Sequence, residues 1–119
     1  DTGRFDVLKD ISRVESFIQS GFATKGFVLF ITNCSSYWIN ASYTGSQNAH
    51  DKEFRLIQDK IINGPLKWPS EAKITTYGKE RIKGLTIKGN YLVNWEPYSN
   101  FEGLRNGEFK YLLFEIQFK

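Results

Sequence analysis

Methionine is absent from this chain of 119 residues, which holds one cysteine, one histidine and three prolines. Each scarcity excludes something. A single cysteine, Cys34, cannot form an internal disulfide and points to a reducing compartment, so a cytoplasmic location is the expectation. His50 and Cys34 together fall short of the roughly four nitrogen and sulfur ligands that structural zinc takes. No fixed spacing ties His50 to a nucleophile, and it reads as a solvated loop residue. Cys34 has no basic neighbour in sequence to stabilise a thiolate and reads as an inert thiol. No apolar run approaches the ~18 residues that span a bilayer, so no membrane partner is expected. The first ten residues are charged and lack the apolar stretch of a signal peptide. A chain without methionine, opening Asp-Thr-Gly, reads as a piece of a larger protein. No internal repeat or low-complexity segment is present.

What remains is the composition of one small globular domain, residues 1–119, with 40% hydrophobic and 24% charged residues. A chain of this length buries roughly 65% of its unfolded surface, enough for a core. Aromatic residues are abundant: ten Phe, six Tyr and three Trp. The net charge of +3 is unevenly spread. Residues 66–90 hold six bases (Lys67, Lys73, Lys79, Arg81, Lys83 and Lys88) against Glu71 and Glu80, a local +4.

Val7, Leu8, Ile11, Val14 and Ile18 recur at spacings of three and four and predict an amphipathic helix over Asp6–Ser20. Asp6 is the expected N-cap, Gly21 the expected residue after the last turn, and Phe22 closes back on that turn. Phe27-Val28-Leu29-Phe30-Ile31 is apolar throughout, which predicts a central strand covered on both faces, with the helix over one of them. Residues 41–50 read as an exposed loop. Residues 51–62 fit either a short helix or the start of a strand. Asn63-Gly64-Pro65 reads as a turn. Over Arg81–Trp95, Leu85, Ile87, Gly89, Tyr91, Val93 and Trp95 share one face, with Gly89-Asn90 a bulge or a tight turn. Residues 96–107 read as a loop and Phe109–Phe118 as a final strand. The class is α+β: one helix, one central apolar strand, then a mixed, largely antiparallel strand-rich half.

Few constellations carry chemistry. Glu108-Phe109-Lys110 has the E-x-K form in which a carboxylate holds a divalent cation and a lysine activates water. A catalytic E-x-K follows a buried apolar strand, whereas here the apolar run comes after it, so these residues read as a strand entrance. No catalytic and no metal-binding residue is assigned. Asp10 and Arg13, three apart on the helix, form either an ion pair or, with Glu15, Asn33 and Trp38, part of a cleft at the end of the apolar strand. Lys73, Lys79, Arg81, Lys83 and Lys88 interleave with Tyr77 and glycines, as a phosphate-contacting hairpin would. An ordinary solvated hairpin has the same pattern, its charges guarding a strand edge.

The order of segments, FDVLKDISRVESFI, GFVLFITNCSSYW, FRL, PLKW, LTIKGNYLVNWEPYS and GEFKYLLFEI, resembles the C-terminal half of a family of mostly uncharacterised prokaryotic proteins related to the PD-(D/E)XK nucleases. The positions that carry the likeness include Asp10, Arg13 and Glu15, Thr32-Asn33, Tyr37-Trp38, Trp68, Gly89, Tyr91, Trp95, Tyr98-Ser99 and Phe109-Lys110-Tyr111. The resemblance implies a partial restriction-endonuclease-like fold. Its metal-binding carboxylates and lysine would precede Asp1, so no cofactor is expected in this chain and Mg²⁺ enters only with the complete parent. It also implies nucleic acid as a partner, and an upstream segment or second chain completing the sheet. Two functional classes follow. One is part of a nuclease-like protein that binds or processes nucleic acid when complete. The other is a non-catalytic interaction or scaffold domain using exposed aromatics such as Tyr37, Trp38 and Tyr98. A relative that has lost all activity is a third reading.

Overall fold

The computed structural model describes residues 2–39, 55–67 and 84–118. Helix α1 (Thr2–Gln19) leads into strand β1 (Gly26–Thr32), and a 3-10 turn follows at Ser35–Tyr37. Strands β2 (Ile61–Leu66), β3 (Leu85–Leu92), β4 (Glu96–Asn100) and β5 (Glu108–Ile116) complete the order. They form two antiparallel sheets, one ordered β1-β5-β4 and the other β2-β3. The class is α+β.

The helix begins one turn earlier than its apolar stripe suggests, and Asp6 lies inside it rather than capping it. Arg4 and Phe5 supply the reason: both are buried, so the extra turn gains core contacts. The other end closes as expected. Gly21 adopts φ +84°, a left-handed conformation that costs glycine little. Phe22 N–H donates to Phe17 O at 3.0 Å and Gly21 N–H to Ile18 O at 3.1 Å, the paired bonds of a Schellman cap. The Phe17 and Phe22 rings meet edge to face at 6.3 Å, the hydrophobic contact that accompanies it.

The helix lies between the two sheets. Phe5, Leu8 and Ile11 pack against Val28, Leu112, Phe114 and Ile116 of the three-stranded sheet and Ile62, Ile87 and Tyr91 of the two-stranded one. Helix and β1 approach closely at Gly26, where a Cβ would come within 2.3 Å of a Val14 methyl. Tyr91 and Phe114 join the sheets through an edge contact at 6.3 Å.

Several expectations change. Among the described residues β1 pairs with β5 alone, on one side, where the expected central strand would be flanked on both. Its faces differ: Val28 is buried, whereas Phe27, Leu29 and Ile31 are 57%, 60% and 39% exposed. The helix covers one face, and the other is left apolar. Asn63-Gly64-Pro65 is part of β2, paired with β3 across an irregularity whose extra residues lie on β3, and is not a turn. Gly89-Asn90 is the bulge and not the tight turn: β3 runs on through it, with Lys88, Gly89 and Asn90 opposite Asn63 alone. Glu96–Asn100, expected as loop, pairs with β5 through a bulge between Pro97 and Ser99. The alternation of Leu85, Ile87, Tyr91, Val93 and Trp95 is as expected, with the last four buried.

Candidate functional site

The proposed cleft residues fall in three separate places. Asp10 and Arg13 are exposed on α1 and pair at 3.2 Å. With Val14 and Phe17 they line a shallow groove whose other wall is Phe27, Val28 and Leu29 of β1. This groove lies between the helix and β1.

Glu15 points the other way, into the protein, and is 1% exposed. Its carboxylate accepts bonds from Lys88 N–H at 3.0 Å, Gly89 N–H at 2.8 Å and Tyr91 O–H at 2.7 Å. Three donors satisfy a buried anion, which is otherwise costly. Burial, the bond to Glu15 and the nearby negative charge all push the Tyr91 hydroxyl well above the usual tyrosine range. Glu15 therefore clamps the helix to β3 and has no open side for a substrate. Its position on the stripe of Leu8, Ile11 and Ile18 was the sequence signal for an inward side chain.

Asn33 and Trp38 lie beyond the end of β1. Asn33 donates to Asn106 O at 3.0 Å at the surface. Trp38 packs on Trp95 at 5.7 Å, and Lys110 Nζ lies 5.3 Å from its ring centre. Phe30 contacts both Tyr37 and Trp95, while Arg4 sits over Tyr37 at 4.6 Å and donates to Ser36 O at 2.6 Å. The Trp95 indole N–H donates to Leu56 O at 2.7 Å. The polar, aromatic turn after β1 thus plugs the end of the core. Cys34 is exposed there, 3.0 Å from the Ser36 hydroxyl.

Lys73, Lys79, Arg81, Lys83, Tyr77, His50 and Trp68 lie outside the described residues. Lys88 is described: its ammonium bonds Gln19 Oε1, which directs it toward the helix end. Glu108 opens β5 and is exposed, and Lys110 leans on Trp38. Among the described residues, no group of three or more His, Cys, Asp and Glu side chains could hold a metal ion, and no helix is long and apolar enough to cross a membrane.

The surface that sequence reasoning missed is the outer face of the three-stranded sheet. The β1–β5 register places Leu29 opposite Leu113 and Ile31 opposite Tyr111. Tyr98, swung out by the β4 bulge, meets Tyr111 edge to face at 6.3 Å. Phe101 and Phe109 continue the surface, their rings 6.0 Å apart. Phe27, Leu29, Ile31, Leu113, Tyr98 and Phe101 are all exposed. Singly exposed apolar residues are ordinary, whereas a contiguous exposed apolar sheet face is unusual. The odd-numbered half of the β1 run was its signal, hidden because the even-numbered half is equally apolar.

In comparisons with known proteins, the chain matches no family model, no curated protein and no solved structure.

Proposed function

We propose that this chain is a non-catalytic protein-interaction domain that engages its partner through the outer face and free edge of the β1-β5-β4 sheet. The observation that carries the reading is the exposed pair Leu29–Leu113, flanked by Phe27, Ile31 and the Tyr98–Tyr111 contact. Burying such a face gains roughly 25 cal/mol per Å² of apolar surface removed from water. Its aromatic residues are of the type enriched in the centres of interfaces. The test is a triple variant, Phe27→Ser with Leu29→Ser and Leu113→Ser, compared with wild type. With an unchanged circular dichroism spectrum, the variant loses protein association, whether with itself or with a partner identified by mass spectrometry. Association equal in both proteins, or absent in wild type, overturns the reading.

The +4 stretch at residues 66–90 favours a second reading, part of a nuclease-like protein that contacts nucleic acid. Phosphate contacts release counterions, so binding of a DNA duplex would weaken with salt, with a log–log slope of about −0.9 per contact. Neutralising Arg81 and Lys83 together would flatten that slope by up to ~2. Equal slopes in wild type and the double variant would remove this reading.

A further inference from the structure

The two edges of the three-stranded sheet are built differently. β4 is short, carries Glu96 and Pro97, and is broken by a bulge. These are the devices by which proteins stop a sheet from growing. β1 has none of them. It is Gly-Phe-Val-Leu-Phe-Ile-Thr, seven residues without a charge, a proline or a bulge, pairing on one side only among the described residues. An edge of this kind is a template for another strand.

β1 is complementary to itself. An antiparallel copy centred on Leu29 puts Leu29 against Leu29, Phe27 against Ile31, Val28 against Phe30 and Gly26 against Thr32. The first two pairs extend the apolar outer face, and the third extends the core face. No like charges meet, and β-branched or aromatic residues in each mixed pair suit the pleated surface.

Charge selects the same partner. Asp10 and Arg13 of α1 line a groove with Phe27, Val28 and Leu29 of β1 and pair with each other. A two-fold axis perpendicular to the sheet places the second helix alongside the first on the same side and running the opposite way. An acid and a base one helical turn apart then meet a base and an acid. The combination is neutral, and Arg13 gains a second carboxylate within its long reach. We propose that two copies of this chain associate edge to edge through β1, centred on Leu29, forming one six-stranded sheet. This rests on the interaction reading above and names its partner. The blunted β4 edges at both ends stop growth at two copies, so the symmetry closes instead of running into a fibre.

The experiment is sedimentation equilibrium of the intact chain, with circular dichroism as the fold control. Wild type is expected to show a reversible monomer–dimer equilibrium. Leu29→Lys sets two ammonium groups opposite each other at the axis and weakens it by about tenfold or more. Asp10→Arg alone weakens the dimer, and Asp10→Arg with Arg13→Asp restores it. Register is read independently on a Cys34→Ser background under mild oxidation. Leu29→Cys forms a disulfide-linked dimer with itself. Phe27→Cys links to Ile31→Cys in a mixture, and neither links efficiently to itself. A dimer unchanged by Leu29→Lys, or cross-links in another register, overturns the proposal. A strictly monomeric wild type also overturns it. If that monomer still holds a partner that the triple serine variant loses, the interaction reading stands and only the self-pairing fails; if neither association is seen, both fail.

Discussion

Leu112 and Leu113 are neighbours on β5, identical in chemistry and opposite in environment: 1% and 54% exposed. Truncating each to alanine tests the central structural claim, that this sheet has one packed face and one bare one. At Leu112 the change removes about three carbons from a closed core. The transfer loss is ~0.8 kcal/mol per methylene, and the cavity left behind adds more, so the expected cost is about 3–5 kcal/mol. At Leu113 just under half of the side chain is removed from water, and the vacated space opens to solvent, so no cavity term arises. Scaling the transfer loss gives roughly 1 kcal/mol, and unfolded-state compaction lowers that further. The assay is urea denaturation of both variants at low protein concentration, fitted with a shared slope. Low protein concentration keeps self-association from distorting the comparison. Equal costs would refute the reasoning. A Leu113→Ala loss above about 2 kcal/mol would mean that the outer face is covered and offers no docking surface.

Two further predictions concern the clamp at Glu15. Tyr91 has a raised pKa in the folded chain, so it keeps its proton where the unfolded chain has released it. Its contribution is intact below pH ~10, the ordinary tyrosine value, and declines above it by about 1.4 kcal/mol per pH unit. Tyr91→Phe removes that component, so the difference in stability between wild type and variant should shrink as pH rises from ~9 to ~11, measured by denaturant midpoint. A constant difference would show that Tyr91 does not hold its proton against Glu15. Glu15→Ala strips the acceptor from two backbone N–H groups and the Tyr91 hydroxyl. At ~1–3 kcal/mol per stranded buried donor the loss should be about 3 kcal/mol or more, and a loss under about 1 would show that water replaces the carboxylate freely.

The local elements were legible where one periodicity dominated. Val7, Leu8, Ile11, Val14 and Ile18 gave the helix because no strand period fits them, and Gly21-Phe22 gave its end because cap chemistry is local. Alternation gave β3 and β5. β4 was unreadable: Glu96-Pro97-Tyr98-Ser99-Asn100 is paired by β5, a partner supplied by the tertiary fold, against its own turn-forming composition. Asn63-Gly64-Pro65 failed for the same reason, since β3 and a bulge hold a turn-like triplet in a strand.

The run at Phe27–Ile31 shows why a site can be invisible even when its strand is plain. Continuous apolar sequence is compatible with burial on both faces within one chain, or with one core face and one face reserved for another molecule. Composition does not distinguish them, because the odd-numbered residues are apolar in both. The difference lies in who covers them. Here α1 reaches Val28 and leaves Leu29, and the guard residues that a solvent-exposed edge normally carries are present on β4 and missing from β1. That contrast between two edges of one sheet becomes readable only when the strand order is known. β1 thus has the composition of an interior strand while pairing on one side only among the described residues, and the sedimentation and cross-linking experiments ask whether a second copy takes the other side.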